Sequence, residues 1–192
     1  MANFIEEFMG SMGPEVSKKL GSSLNIDQGT VQKIIPLVAP MILGGLKKQS
    51  ENFGGQQRVD HILNKYGSAD VLQNLDGLFS SKLNDPKADP KLGGLLGDAG
   101  SQAANLISKN FNLDSSTIMK LIPMLAPVIL GFLTNKRDSQ GAGSSGIAAL
   151  LDQNGDGSIL DDVAGFLLNQ ATGQKSGNVF TNLLGGLFRK RN

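Results

Sequence analysis

The chain has 192 residues, long enough for one ordinary domain or two small ones, and its 40% hydrophobic content is sufficient to close a core. With no Cys and a single His, it excludes disulfides, thiolate metal sites, a cysteine nucleophile and multi-His metal centres. A net charge of +1 gives no electrostatic footprint for nucleic acid, and 25 Gly residues imply frequent turns and helix ends.

At the start, "MANFIEEFMGSMG" carries Glu6 and Glu7 where a secretory signal would carry positive charge, so a cytoplasmic location is expected. Next comes "NIDQGTVQKIIPLVAPMILGGL" from Asn25, in which Asp27 stands at a helix N-cap position. Pro36 and Pro40 each lack a backbone donor, so either Pro36 opens a new helix or a longer helix kinks there. The uncharged run from Ile34 to Leu46 spans 13 residues between lysines, short of the roughly 20 that a spanning helix needs. A buried core segment is expected.

"KQSENFGGQQR" follows as a connection, and His61 is expected on a helix surface. "LNKYGSADVLQNL" reads as a turn at Gly67, with Asp70 in the capping role and Tyr66 packed at the turn. In "NDPKADPK", Asn84 to Lys91, two Asp-Pro pairs push the preceding residues out of helical geometry and mark a boundary.

Beyond it the sequence starts again. "NLDSSTIMKLIPMLAPVILGFL" from Asn112 aligns without a gap on the segment from Asn25, pairing Asp27 with Asp114, Pro36 with Pro123, Pro40 with Pro127 and Gly44 with Gly131. Upstream, "FMGSMG" at Phe8 lies opposite "LLGDAG" at Leu95, and downstream, with one residue inserted, Ile62 falls on Leu150. Strand alternation is missing and helical spacing recurs, as in Leu92, Leu95, Leu96 and in Ile118, Leu121, Ile122, Leu125. The expected fold is all-α, two pseudo-symmetric helical repeats packed into one helical domain without a sheet, with about four helices per copy. The first repeat covers 1–84 with its degenerate loop at 64–74, and the second covers 92–172. "NKRDSQGAGSSG", Asn135 to Gly146, reads as a flexible loop, and its G-x-G-x-x-G spacing lacks the preceding strand a dinucleotide site requires.

The second repeat then carries "LDQNGDGSILDDVAGFL", four carboxylates in residues 152–162 with no cation among them. Set out as an EF-hand-type loop, Asp152, Asn154 and Asp156 take positions 1, 3 and 5, Gly157 the sharp turn, and Ser158 offers its carbonyl at position 7. Position 12 is Val163, so Asp161 or Asp162 and water must complete the shell, and affinity should fall below that of a full EF-hand. A turn and capping box would use Ser158, Asp161 and Asp162 without any metal. The first repeat separates the two readings: it keeps the turn and cap, yet has Asn64, Tyr66, Ser68, Gln73 and Asn74 in place of Asp152, Asn154, Asp156, Asp161 and Asp162. The acids are therefore not required by the turn. Four close carboxylates raise one another's pKa unless a cation neutralises them, and an all-oxygen set favours Ca2+, with Mg2+ as the alternative.

The tail, residues 176–192, places Val179, Phe180, Leu183, Leu184, Leu187 and Phe188 on one helical face and ends on Arg189, Lys190 and Arg191. Its "NLLGGLF" echoes the start of each repeat, which suggests head-to-tail self-association through this amphipathic helix.

The paired "IPxxAPxILG" segments, the "LLG" and "LGG" runs and "DQNGDGSILDD" together resemble the bacterial YidB-like family of unknown function. That resemblance covers nearly the whole chain and implies a small helical bacterial cytoplasmic protein without an established activity. The expected function is a non-catalytic helical scaffold or interaction protein that binds calcium and self-associates with itself or an unknown protein partner. A membrane-surface or hydrophobic-ligand protein is the alternative, and an enzyme comes third.

Overall fold

Helix propensity, capping residues and apolar spacing act together along the described part of the chain, residues 4–85 and 95–139 of a computed structural model, with the side chains of 97–103 excepted. Seven α-helices appear there in the order α1 (Phe4–Ser11), α2 (Gly13–Leu24), α3 (Gln28–Phe53), α4 (Gly55–Tyr66), α5 (Leu75–Leu83), α6 (Gly97–Phe111) and α7 (Ser115–Ser139). A 3-10 turn, Ala69–Leu72, separates α4 from α5. Strands are absent among the described residues, as the spacing predicts. Everything described lies within one unit, residues 1–159.

The local stops are chemical. Asp27 caps α3, its Oδ2 accepting from the Thr30 N–H at 2.9 Å, as the sequence predicts. Asp114 stands directly before α7, and its carbonyl accepts from Thr117 N at 3.0 Å and Ile118 N at 3.2 Å. Helix α2 ends on Asn25 in the left-handed conformation, φ 54° and ψ 45°, and α6 ends on Asn112 at φ 51° and ψ 43°. In both, the next residue reaches back five positions: Ile26 N donates to Gly21 O at 2.9 Å and Leu113 N to Ser108 O at 3.0 Å.

Three points bear on the sequence expectation. First, of the two arrangements the prolines leave open, the longer helix is found: α3 runs through Pro36 and Pro40, and α7 through Pro123 and Pro127. The carbonyls that lose a donor belong to Gln32, Pro36, Met119 and Pro123, the first three of them half-exposed or exposed, where water can take the donor's place. Secondly, α3 continues to Phe53 and turns on Gly54 and Gly55, both at positive φ, so most of the expected connection is helical. Thirdly, Asn135–Ser139 belongs to α7 and not to a loop; no breaker occurs before Gly141, and Lys136 and Arg137 in the last turn suit the helix dipole. Leu95 and Leu96, expected as helical, lie just ahead of α6 and are buried. The stretch up to residue 83 holds five α-helices where about four are expected.

Helix α7 is the axis of the fold. It packs against α2, α3, α4, α5, α6 and the 3-10 turn, and its Phe132 ring meets Phe4 and Phe8 of α1 edge-on at 5.5 and 5.3 Å. Leu121, Ile122, Leu125, Ile129 and Leu133 are fully buried along it. Helix α3 packs against α1, α2, α4, α6 and α7. Both α3 and α7 are long and apolar enough to cross a membrane by length and composition, and 61% and 78% of their most apolar windows are buried inside the fold.

Candidate functional site

The described residue set most relevant to chemistry is the turn after α4, the segment that sequence alignment sets against the acidic stretch at 152–162. Helix α4 packs on α3 and α7, which places Asp60 and Asn64 against the last turn of α7. There Arg137, its side chain only 14% exposed, donates from Nη1 to Asp60 Oδ1 at 3.1 Å and from Nη2 to Asn64 Oδ1 at 3.1 Å. Its Nε donates to Asp138 Oδ1 at 2.8 Å. The Asp138 hydrogen bond, followed by the Asp60 bond and against the opposing effect of burial, raises the Arg137 pKa above its ordinary value. The guanidinium is thus a fixed cation at the head of the turn. One residue earlier, Lys136 pairs with Glu7 and ties α1 to the same end of α7.

The turn itself is two caps in series. Gly67 ends α4, its N–H donating to Leu63 O at 2.8 Å. Ser68 then caps the 3-10 turn, accepting at Oγ from the Asp70 N–H at 3.3 Å, and Asn74 caps α5, accepting at Oδ1 from the Gly77 N–H at 3.0 Å. The cap is therefore Ser68, whereas the sequence points to Asp70; Ser68 is the last extended residue before the turn, at φ −58° and ψ 133°, which is the geometry a cap needs. Asp70 accepts from the Ser68 hydroxyl at 3.2 Å. Tyr66 does not pack into the turn: it is 49% exposed, with Lys65 Nζ 5.1 Å from its ring centre. His61 is exposed, as expected.

Two glycines let this turn lie directly on α7. A Cβ on Gly67 would stand 2.8 Å from the Leu130 Cβ and carbonyl, and one on Gly131 would stand 2.9 Å from the Ser68 carbonyl oxygen and from Val71 Cγ2. Neither position has room for a side chain.

The residues proposed from sequence to hold a metal, Asp152, Asn154, Asp156, Ser158, Asp161 and Asp162, lie outside the described residues, as do Gly141–Gly146 and the tail at 176–192. Among the described residues, no group of three or more His, Asp or Glu side chains is placed to hold a metal ion. Sequence reasoning missed the Arg137 clamp, because Arg137 falls in a stretch read as loop; its helical spacing after Leu133 was the available signal.

An all-helical protein built around two proline-containing core helices is the class these features define. The profile of the family described as "Bacterial protein of unknown function (DUF937)" matches residues 6–136, and the chain belongs to that family. No curated protein and no solved structure matches it.

Proposed function

We propose that the protein is a non-catalytic helical scaffold or interaction protein, internally duplicated, whose second copy carries a calcium-binding turn. The observation that carries this reading is the Arg137 guanidinium on Asn64. In the repeat register Asn64 corresponds to Asp152, Ser68 to Asp156, and Gln73 and Asn74 to Asp161 and Asp162, whereas Arg137 corresponds to Ser50. In the first copy a cation, Arg137, stands against Asn64 of α4, the position that Asp152 takes in the second. The second copy has carboxylates at those positions and no arginine in the matching place, so a hard divalent cation supplies the missing charge. Ca2+ suits the all-oxygen set of Asp152, Asn154, Asp156, the Ser158 carbonyl and Asp161 or Asp162; Mg2+ is the alternative.

Calorimetric titration with Ca2+ and Mg2+ tests it on the intact protein and on Asp152→Asn/Asp156→Asn. Heat of binding is expected from the first and not from the second, and identical heats in both would place the metal elsewhere.

Self-association is the second part of the proposal. Leu106 on α6 and Met119 on α7 are 48% and 36% exposed, where the first copy has Lys19 and Gln32. Removal of Val179–Asn192 is expected to lower the mass measured by light scattering; an unchanged mass removes the tail from the interface. In its finer detail the family likeness is to YidB-like proteins, with a cytoplasmic location. The length and apolar character of α3 and α7 favour a second reading, a membrane-surface protein. Flotation with liposomes decides between them: recovery in the soluble fraction supports the scaffold, and co-flotation the membrane reading.

A further inference from the structure

Where both copies are described, they fold alike. Each has a helix that ends on a left-handed asparagine, Asn25 or Asn112, followed by a residue whose N–H reaches back to the same place, Ile26 to Gly21 and Leu113 to Ser108. The buried face of the central helices also coincides in the repeat register: Ile35, Val38 and Ile42 of α3 fall on Ile122, Leu125 and Ile129 of α7, all fully buried. Contacts between the copies come in exchanged pairs. Helix α3 packs against α7, α2 of the first copy packs on α7, and α6 of the second packs on α3. An arrangement that swapping the copies leaves unchanged is a two-fold one.

The starts of the copies follow the same exchange with different side chains. Phe8 and Leu95 share one register position, and Gly45 and Phe132 share another. Phe4 and Phe8, of the first copy, meet Phe132 of the second edge-on. Leu95, of the second copy, lies on Gly45 of the first, so closely that a Cβ there would collide with the Leu95 carbonyl oxygen and stand 3.0 Å from its carbonyl carbon. Phe4, Phe8 and Leu95 are all buried in these seats. We propose that the two copies are interlocked: each copy's start is seated on the other copy's central helix, and the residue at the seat, Gly45 or Phe132, selects the start that fits. This rests on the internal duplication proposed above and not on calcium. A two-fold pair of helices offers two equivalent seats, so without a size difference either start could occupy either one. Gly45 leaves room for a backbone and none for a ring, whereas the seat on α7 is filled by the Phe132 ring, against which Phe4 and Phe8 pack edge-on. The partner that each hairpin fits is thus a second copy of its own unit, supplied here by the same chain, and neither copy has a complete core alone.

Crossed dependence is the test, read by amide exchange and mass spectrometry on the full chain in EDTA. Two mild substitutions perturb one seat each, Gly45→Ala on α3 and Phe132→Leu on α7. Interlocking predicts that Gly45→Ala speeds exchange in α6 about tenfold more than in α1, and that Phe132→Leu speeds it in α1 about tenfold more than in α6. An uncrossed pattern, with each substitution loosening the start of its own copy, overturns the proposal, as does equal loosening of both starts. So does a crossed pattern that fades on dilution, since the partner would then be a second chain. Urea midpoints approach the seats from the other side: Phe8→Leu should be non-additive with Phe132→Leu and additive with Gly45→Ala, and the reverse overturns the assignment of seats. A crossed pattern beside calorimetry that shows no calcium binding keeps the interlock and removes the metal; calcium heats beside an uncrossed pattern do the opposite.

Discussion

Thr134 lies in the buried stretch of α7, 6% exposed, and among the described residues its hydroxyl has no hydrogen-bond partner. A buried, unpaired hydroxyl costs roughly 1–3 kcal/mol of desolvation, so exchanging it for a methyl of nearly the same shape should recover part of that. Thr134→Val is expected to raise stability by about 1 kcal/mol, read as a higher urea midpoint at unchanged slope. A lowered midpoint would show that the hydroxyl is paired. Asn25 presents the opposite case, a side chain chosen for its backbone. At φ 54° it occupies a region that costs most L-residues roughly 1–2 kcal/mol, and Asn and Gly far less. Asn25→Ala should therefore lose about 1 kcal/mol in thermal melts while Asn25→Gly stays close to the parent. Equal losses in the two variants would assign the effect to the side chain's contacts instead.

At the scale of elements, α5 is held to α2 by a surface pair, Lys19 Nζ 2.6 Å from Asp76 Oδ2, with Glu15 at 3.5 Å on the same helix as Lys19. The Asp76 hydrogen bond raises the Lys19 pKa above its ordinary 10.5, partly opposed by desolvation. A lysine whose folded pKa is raised contributes stability that is complete below the unfolded value and disappears as pH rises through the folded one. The urea midpoint of Lys19→Met should accordingly lie below the parent's at neutral pH, and the gap should close as pH rises through the raised lysine titration and shrink in high salt. A gap that widens with pH would contradict the assignment. The elements themselves were legible to different depths. Helices α3 and α7 could be read from apolar spacing and Asp27, but their length could not, because proline spacing shows which donors are missing and not whether water reaches the orphaned carbonyls. The last turn of α7 was hidden for a related reason: Asn135–Ser139 is polar enough for a loop, and its partners are distant in sequence, Arg137 closing on Asp60 and Asn64 across 77 and 73 residues and Lys136 on Glu7 across 129. Long-range pairing of that kind leaves no local pattern.

For the whole molecule, the first turn is fastened by an internal cation and the second, on the proposed reading, by an external one, so the two should respond to different perturbations. Arg137→Met removes charge-assisted bonds to Asp60 and Asn64 and leaves Asp60 with less compensation, a loss of about 2 kcal/mol given that Asp60 is itself partly exposed. In a chain of this length that lowers the melting temperature by roughly 2–4 °C for each kcal/mol. On the proposed reading, calcium at about 100 times its dissociation constant should add about 2.7 kcal/mol, the gain expected of a cation that binds the folded chain and not the unfolded one. Since the partners of Arg137, Asp60, Asn64 and Asp138, are not among the residues proposed to hold the cation, calcium is expected to raise the melting temperature of the parent and of Arg137→Met by the same increment, and to leave Asp152→Asn/Asp156→Asn unmoved. If the calcium increment vanished in Arg137→Met while persisting in the double asparagine variant, the cation would be acting at the α4–α7 end, and the division of labour between the two turns would be wrong.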